Sequence, residues 1–465
     1  MSRKMHDLIV IGAGPAGMAA ARMAADKGLS VTVLDEQIRA GGQIYRDVER
    51  AASRRGDILG PDYADGLPLA RGLDHPSIAH IPGATVWQIE NGPRVFFSVD
   101  GQARSVEGKR LLIATGALER PMPIPGWTLP GVMTAGAAQI LLKQSGIVAE
   151  RAVIAGSGPL LYLIAAQMVR AGTPPLALVE TQTRGNFLRA FRQLPGALSG
   201  WRYLRKGAQM LRQIQRAGVP RHTGATGLAV EGTGRAEAIR FKADGREHRI
   251  EADTILLHHG VVPHVQAARS LNIPHRWDTA QHCFVPEIGP GGRTAMETVF
   301  VAGDGAGIGG AKAAALAGRI AALHIARDVG ASTDAGIAGE LATLTRALDK
   351  ELAVRPFLDA AYPPYREALS PTDSTIVCRC EEVTAGDIRR YAGLGCLGPN
   401  QTKAFGRPGM GPCQGRYCGL TVTALLSEAN GVSPDTTGYY RIRPPIKPVT
   451  LGEIASLNDQ QEIEE

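Results

Sequence analysis

Residues 8–17 read Leu-Ile-Val-Ile-Gly-Ala-Gly-Pro-Ala-Gly, and this stretch decides the fold. Four consecutive apolar residues form a run of the buried-strand type, and Gly12-x-Gly14-x-x-Gly17 then opens an Ala-rich helix that reaches about Lys27. Val31 to Leu34 is the next apolar run and ends at Asp35, 23 positions after Gly12. Strand, glycine turn, helix and strand make one βαβ unit. Each glycine has its own reason to be there. Gly12 permits the tight turn, Gly14 lets the backbone approach a pyrophosphate, and Gly17 allows the helix to lie close on the strand. The helix N-terminus then faces the phosphates, and Asp35 at the strand end suits a ribose diol.

Working outward, the pattern recurs. Ala152-Val-Ile-Ala155 runs into Gly156-Ser-Gly158, a helix to about Arg170, and a strand Leu176 to Val179 that ends at Glu180, 24 positions after Gly156. Here Leu161 stands where the third glycine belongs. Glu180 suits an unphosphorylated ribose, so this second site reads as a working NAD site, a site for another adenine nucleotide, or an empty relic. Leu111 to Ile113 leads into Ala114-Thr115-Gly116, and the Pro/Gly-rich segment 121–130 reads as a crossing between domains. The strand Val299 to Ala302, followed by Gly303-Asp304 and a helix from about Gly310 to Val329, returns the chain to its first domain. The expected class is α/β, with two Rossmann-like dinucleotide-binding domains and a small C-terminal [2Fe–2S] domain. The first domain is discontinuous, 1–120 and 265–330, and the second is 121–264. A helical linker (331–374), the cysteine-bearing domain (375–430) and a tail (431–465), with 458–465 mobile, complete the plan.

Composition fits this plan and excludes others. The 465 residues exceed one average domain about threefold, and 44% hydrophobic with 20% charged residues is globular usage. A formal charge of +7 without a nucleic-acid motif gives no case for binding DNA or RNA. The Ala-rich stretch 308–326 carries Lys312, Arg319 and His324, which argues against a membrane span, and Met1-Ser-Arg-Lys is not followed by a cleavage-site pattern. None of the six cysteines lies in residues 1–282, so no dithiol relay exists there. A reducing cytoplasm is the expected setting.

Five of the cysteines fall between Cys378 and Cys418. Cys378-x-Cys380 is followed, after 32 residues, by Cys413-x-x-x-x-Cys418. Four thiolates suit ferric iron and zinc alike, and four can hold a [2Fe–2S] cluster. The C-x-C spacing is tighter than that of zinc fingers, and a flavin in the first domain would supply an electron-transfer partner; both favour iron. Cys396 and Cys283 read as buried small apolar residues. His258 and His259 are adjacent on a strand, face opposite sides, and read as structural. Residues 184–221 hold nine Lys/Arg and no Asp or Glu, interleaved with Phe187, Phe191, Leu198 and Trp201. That segment reads as amphipathic helices with a basic face that is solvated, binds a partner, or contacts nucleic acid.

Gly12-x-Gly14-x-Ala16-Gly17, Asp35 with Glu36, Gly41-Gly42-Gln43, Thr115-Gly116, Gly303-Asp304 and Gly310-Ala311 resemble, in order, the FAD elements of the glutathione-reductase-like flavoproteins. The resemblance implies FAD in the first domain, with Asp304 on its ribityl–phosphate region and the helix after Gly310 pointing at the isoalloxazine edge. The segments Val377 to Glu382 and Gly409 to Cys418 resemble the [2Fe–2S] domain related to bacterioferritin-associated ferredoxin. Fused, the two are similar to the α subunit of heteromeric amine and amino-acid dehydrogenases: opine oxidases, hydroxyproline and proline dehydrogenases, and hydrogen cyanide synthase. That resemblance implies FMN at a junction between subunits, a D-amino-acid-oxidase-like β subunit, and a small ferredoxin-like γ subunit. Two other readings stand beside it, an NADH-dependent ferredoxin-type reductase and a non-catalytic scaffold. The amine substrate, the terminal electron acceptor and the stoichiometry are not legible.

Overall fold

The computed structural model describes the backbone of residues 5–462 and the side chains of residues 5–457. Strand His6–Ile11 lies between Val31–Asp35 and the long strand Gln102–Ile113, with Ile78–Pro82 and Val299–Val301 outside them, all parallel. A central parallel strand is covered on both faces, which is why Leu8, Ile9 and Val10 form an unbroken apolar run with no exposure. Each such side chain contributes about 1.5–3 kcal/mol. The first half of the long strand leaves this sheet and pairs antiparallel with Arg94–Val99, itself paired with Thr85–Glu90.

Helices Pro15–Asp26 and Ala311–Asp328 cover one face. They approach closely because both are rich in alanine and glycine. A methyl on Gly318 would run into the Ala16 carbonyl, and one on Gly303 would lie 2.7 Å from the Ala16 methyl. The return of the chain to its first domain is thus fixed by backbone contact.

The second parallel sheet is centred on Ala152–Gly156, flanked by Ala177–Glu180 and Arg221–Thr223 on one side and by Thr254–His258 and Val132–Thr134 on the other. Leu161 is fully buried in the core of this domain, filling space a glycine would leave. At the crossing between domains, Ala117–Glu119 pairs antiparallel with Val261–Pro263. The linker forms helices Asp334–Leu352, Arg355–Ala361 and Arg366–Leu369. Among the described residues, no helix is long and apolar enough to cross a membrane.

The cysteine-bearing unit packs on the first domain: Val377, Ile388, Val422 and Tyr440 share one core with Ile9, Leu34, Ile113 and Val301 on the second face of the first sheet. Residues 431–457, expected as part of the C-terminal tail, are packed as well. Tyr440, Ile442 and Ile446 are buried in that same core, the Ser456 hydroxyl accepts the Ala103 N–H at 3.0 Å, and Leu457 packs against Trp87 and Phe96. The expected mobile stretch 458–465 enters helix Leu451–Glu462 by its backbone and otherwise lies outside the described residues, as do residues 1–4.

Candidate functional site

The first glycine loop has the shape of a phosphate cradle. Gly12 sits at φ +102°, and a side chain there would meet the Ala114 carbonyl oxygen at 2.6 Å; a methyl on Gly17 would collide with the Gly12 carbonyl. Gly14, by contrast, faces little: a methyl there would find only Gly42 Cα, at 3.8 Å. The space beside Gly14 and the helix N-terminus is what a pyrophosphate needs. Asp35 is buried; its Oδ1 accepts the Gln37 N–H at 3.2 Å, the Ala13 N–H approaches the carboxylate, and its Oδ2 makes no hydrogen bond of good geometry. Burial holds this carboxyl up at about 6, against the Gln37 hydrogen bond and the nearby Arg46 charge. A buried carboxylate oxygen without a well-formed hydrogen bond is costly, and a ribose diol would satisfy it.

Further along the same crevice, Asp304 Oδ1 accepts the N–H groups of Gly309 and Gly310, both at 2.9 Å, which sets the turn before helix Ala311–Asp328. The Gln281 amide clamps Ile308 through both its N–H and its carbonyl, each at 3.1 Å. Thr115 Oγ1 donates to the His264 carbonyl, and the Gly116 carbonyl accepts the His264 N–H. Glu36 is turned away and paired with Lys447 at 2.7 Å. Ala16 lies in the helix contact described above, and Gln43 offers its backbone carbonyl to Lys143 Nζ at 3.0 Å.

The second crevice differs. Gly156 and Gly158 both have φ near +130°, whereas in the first loop Gly12 is at +102° and Gly14 at −79°, and the His258 ring stands beside Gly158: a methyl there would lie 3.0 Å from His258 Nε2. Glu180 has internal partners. It is fully buried, and its carboxylate accepts hydrogen bonds from Tyr162 Oη at 2.6 Å, from Arg221 Nε and Nη2 at 2.6 and 3.0 Å, and from Gln182 Nε2. The two histidines have different partners; His258 ends strand Thr254–His258 and His259 follows it. His258 Nδ1 meets Glu119 Oε1 at 2.6 Å, while His259 bonds the Pro121 carbonyl and the Tyr365 N–H.

The four paired cysteines come together. The thiols of Cys378 and Cys418 hydrogen-bond, and so do those of Cys380 and Cys413. The hydrogen bond with Cys418, aided by N–H groups of Gly409, Glu381 and Cys380, draws the Cys378 thiol down to about 6 against its burial. These donors suit a thiolate ligand. Cys378 and Cys418 are buried, Cys413 is half-buried and Cys380 is exposed, so one edge of the set reaches the surface. Gly411 is pressed against Cys380, and Gly409 and Gly415 against the Tyr440 ring. Among the described residues, no group of three or more His, Cys, Asp or Glu converges on one ion position; the thiols are gathered as two pairs. Cys283 and Cys396 are buried, as read from the sequence, and Cys396 packs in the same core as Cys378 and Cys418.

Sequence reasoning missed Lys143. Its ammonium is buried, bonded to the Gln43 carbonyl and to Gln139 Oε1, and burial beside Arg46 brings it down to about 7. Gln139 continues to Gln167, whose amide reaches the Leu59 carbonyl. This polar chain ties the two dinucleotide domains. Lys143 lies in the last turn of helix Ala135–Ser145, a common place for a cation, so nothing local in the sequence marks it.

Residues 6–330 match the family model described as pyridine nucleotide-disulphide oxidoreductase, and residues 372–457 match the sarcosine oxidase A3 domain. The chain is 44% identical to an opine oxidase polypeptide of the A type from Rhizobium meliloti, over 98% of this chain and 88% of that one. It is 32% identical to hydrogen cyanide synthase subunit HcnB of Pseudomonas aeruginosa, over 97% and 99%. Its fold resembles that of L-proline dehydrogenase from P. horikoshii, with a TM-score of 0.72 at 18% identity over 97% of this chain and 80% of that one.

Proposed function

The chain belongs to the pyridine nucleotide-disulphide oxidoreductase family and to the family of opine oxidase A subunits, and from that premise we propose that it serves the oxidation of the C–N bond of a secondary-amine amino acid. It is the α subunit of an amine-oxidising dehydrogenase built from several chains, and an FAD-dependent oxidoreductase. The substrate class is an opine such as octopine or nopaline, or hydroxyproline or proline. The supporting observation is the first crevice, where an open Gly14 faces a helix N-terminus and the Asp35 carboxylate waits for a donor.

FAD is held by the Gly12, Gly14 and Gly17 loop through backbone N–H groups, by Asp35 at the ribose, and by the segments at Gly42, Thr115, Gly116 and Gly303 to Ala311. Asp304 and Gln281 act on the turn that presents the helix. A [2Fe–2S] cluster is held by Cys378, Cys380, Cys413 and Cys418. When bound, FAD accepts electron pairs and the cluster passes single electrons. The exposed Cys380 edge suits transfer to another protein. A D-amino-acid-oxidase-like β subunit takes the substrate, with a ferredoxin-like γ subunit beside it; FMN sits at a junction between subunits, and the complex works in the cytoplasm.

The test is to assay dye reduction with octopine, nopaline, hydroxyproline and proline, using the chain alone and the chain co-purified with its β subunit. Activity should need both chains. Oxidation of any of these by the single chain, or no secondary-amine activity in the complex, would overturn the reading.

A further inference from the structure

A dinucleotide in a doubly wound fold lies across the carboxyl ends of the strands, with its phosphates at the glycine turn and its adenosine at the acidic end of the second strand. The two domains present these positions in opposite states. In the first, the strand-end Asp35 keeps one carboxylate oxygen without a hydrogen bond of good geometry. In the second, the strand-end Glu180 accepts four hydrogen bonds from Tyr162, Arg221 and Gln182. Three of these bonds fall on Oε2 and one on Oε1, and the carboxylate is fully buried, so a ribose diol has no access to it.

Side chains also stand over this carboxylate. Tyr362, directly after helix Arg355–Ala361, meets the Tyr162 ring edge-on at 6.1 Å between centroids, and Phe187 meets Tyr362 edge-on at 5.6 Å. The linker is anchored there, since the Tyr365 N–H donates to His259 Nδ1 at 3.2 Å and the other ring nitrogen bonds the Pro121 carbonyl at 2.7 Å. At the phosphate end, His258 leans on Gly158 and is held by Glu119.

We propose that linker residues 355–365 are a built-in occupant of the second crevice: Tyr362, with Phe187, covers the adenosine position over a fully buried Glu180 held by internal partners, and this domain takes neither pyridine nor adenine nucleotide. The second dinucleotide fold is then a scaffold that holds the linker, and through it the cysteine-bearing unit, against the first. The inference does not depend on the amine substrate or on the partner subunits.

The experiment uses the full-length, FAD-loaded chain, titrated calorimetrically with NAD⁺, NADH, ADP and ATP up to about 1 mM, a range that detects even weak binding. Backbone hydrogen exchange of residues 180–187 and 355–365 is followed in the same samples. No saturable binding and unchanged exchange are expected. One-to-one binding of any of the four nucleotides overturns the proposal, whether or not it releases residues 355–365. As a second arm, the double variant Tyr362→Ala, Phe187→Ala should keep its FAD and raise exchange across 180–187 about tenfold, because the cover is gone. Exchange that stays at the wild-type rate in that variant also overturns it.

Discussion

FAD affinity should fall in acid, and Asp35 should be the cause. In the flavin-free crevice burial holds its carboxyl at about 6. A ribose diol donates to the ionised form, so FAD binding draws this pKa down, and losing FAD below pH 6 takes up a proton. Affinity is therefore complete well above pH 6 and declines as pH drops through it. At pH 5, about one flavin-free crevice in eleven is ionised, so the dissociation constant should be about tenfold higher than at pH 8, which is about 1.4 kcal/mol. Asp35→Asn removes the titration and weakens the hydrogen bond to the ribose. A charge-assisted bond is worth about 1.5–3 kcal/mol, so at pH 8 the loss should be roughly 10- to 150-fold. The assay is equilibrium flavin fluorescence with stripped protein at pH 5, 6, 7 and 8. A flat wild-type profile, or the same tenfold acid loss in Asp35→Asn, would refute the reasoning.

Gly17→Ala drives a methyl into the Gly12 carbonyl and should cost about 1–3 kcal/mol of stability together with most of the bound flavin, measured by denaturant melts and the flavin absorbance per chain. Cys413→Ser should abolish the cluster signal and leave FAD in place, read from iron and sulfide content beside flavin content. Glu180→Ala strands the buried Tyr162 hydroxyl and leaves the partly exposed Arg221 guanidinium without its partner and should lower stability by about 1–3 kcal/mol in urea unfolding; an unchanged stability would contradict the account of a carboxylate held by internal partners.

What was legible in the sequence is what the backbone itself demands. Gly12, Gly17 and Gly303 answer to carbonyls or methyls that any phosphate-binding turn and its close-packed helix bring near, so spacing alone finds them. The paired cysteines likewise announce themselves by interval. Glu180 shows the limit. Its place at a strand end matched Asp35, but its state depends on Arg221, 41 residues on, and on linker residues near Tyr362, and periodicity carries no such pairing. The segment 431–457 read as a tail because Tyr440, Ile442 and Ile446 are scattered among prolines without a strand or helix period, and only a core built by other elements gives them a place. Lys143 was hidden for a similar reason: its partner at Gln43 belongs to another domain.

The central proposal is that this chain itself binds one FAD, in the first domain, and one two-iron cluster, at the two cysteine pairs. The most direct measurement is the content of FAD, iron and acid-labile sulfide in the purified chain under anaerobic conditions, together with its visible spectrum. The account predicts one released FAD, two irons and two sulfides per chain. A colourless folded chain, or one in which all four thiols of Cys378, Cys380, Cys413 and Cys418 titrate freely, would contradict it.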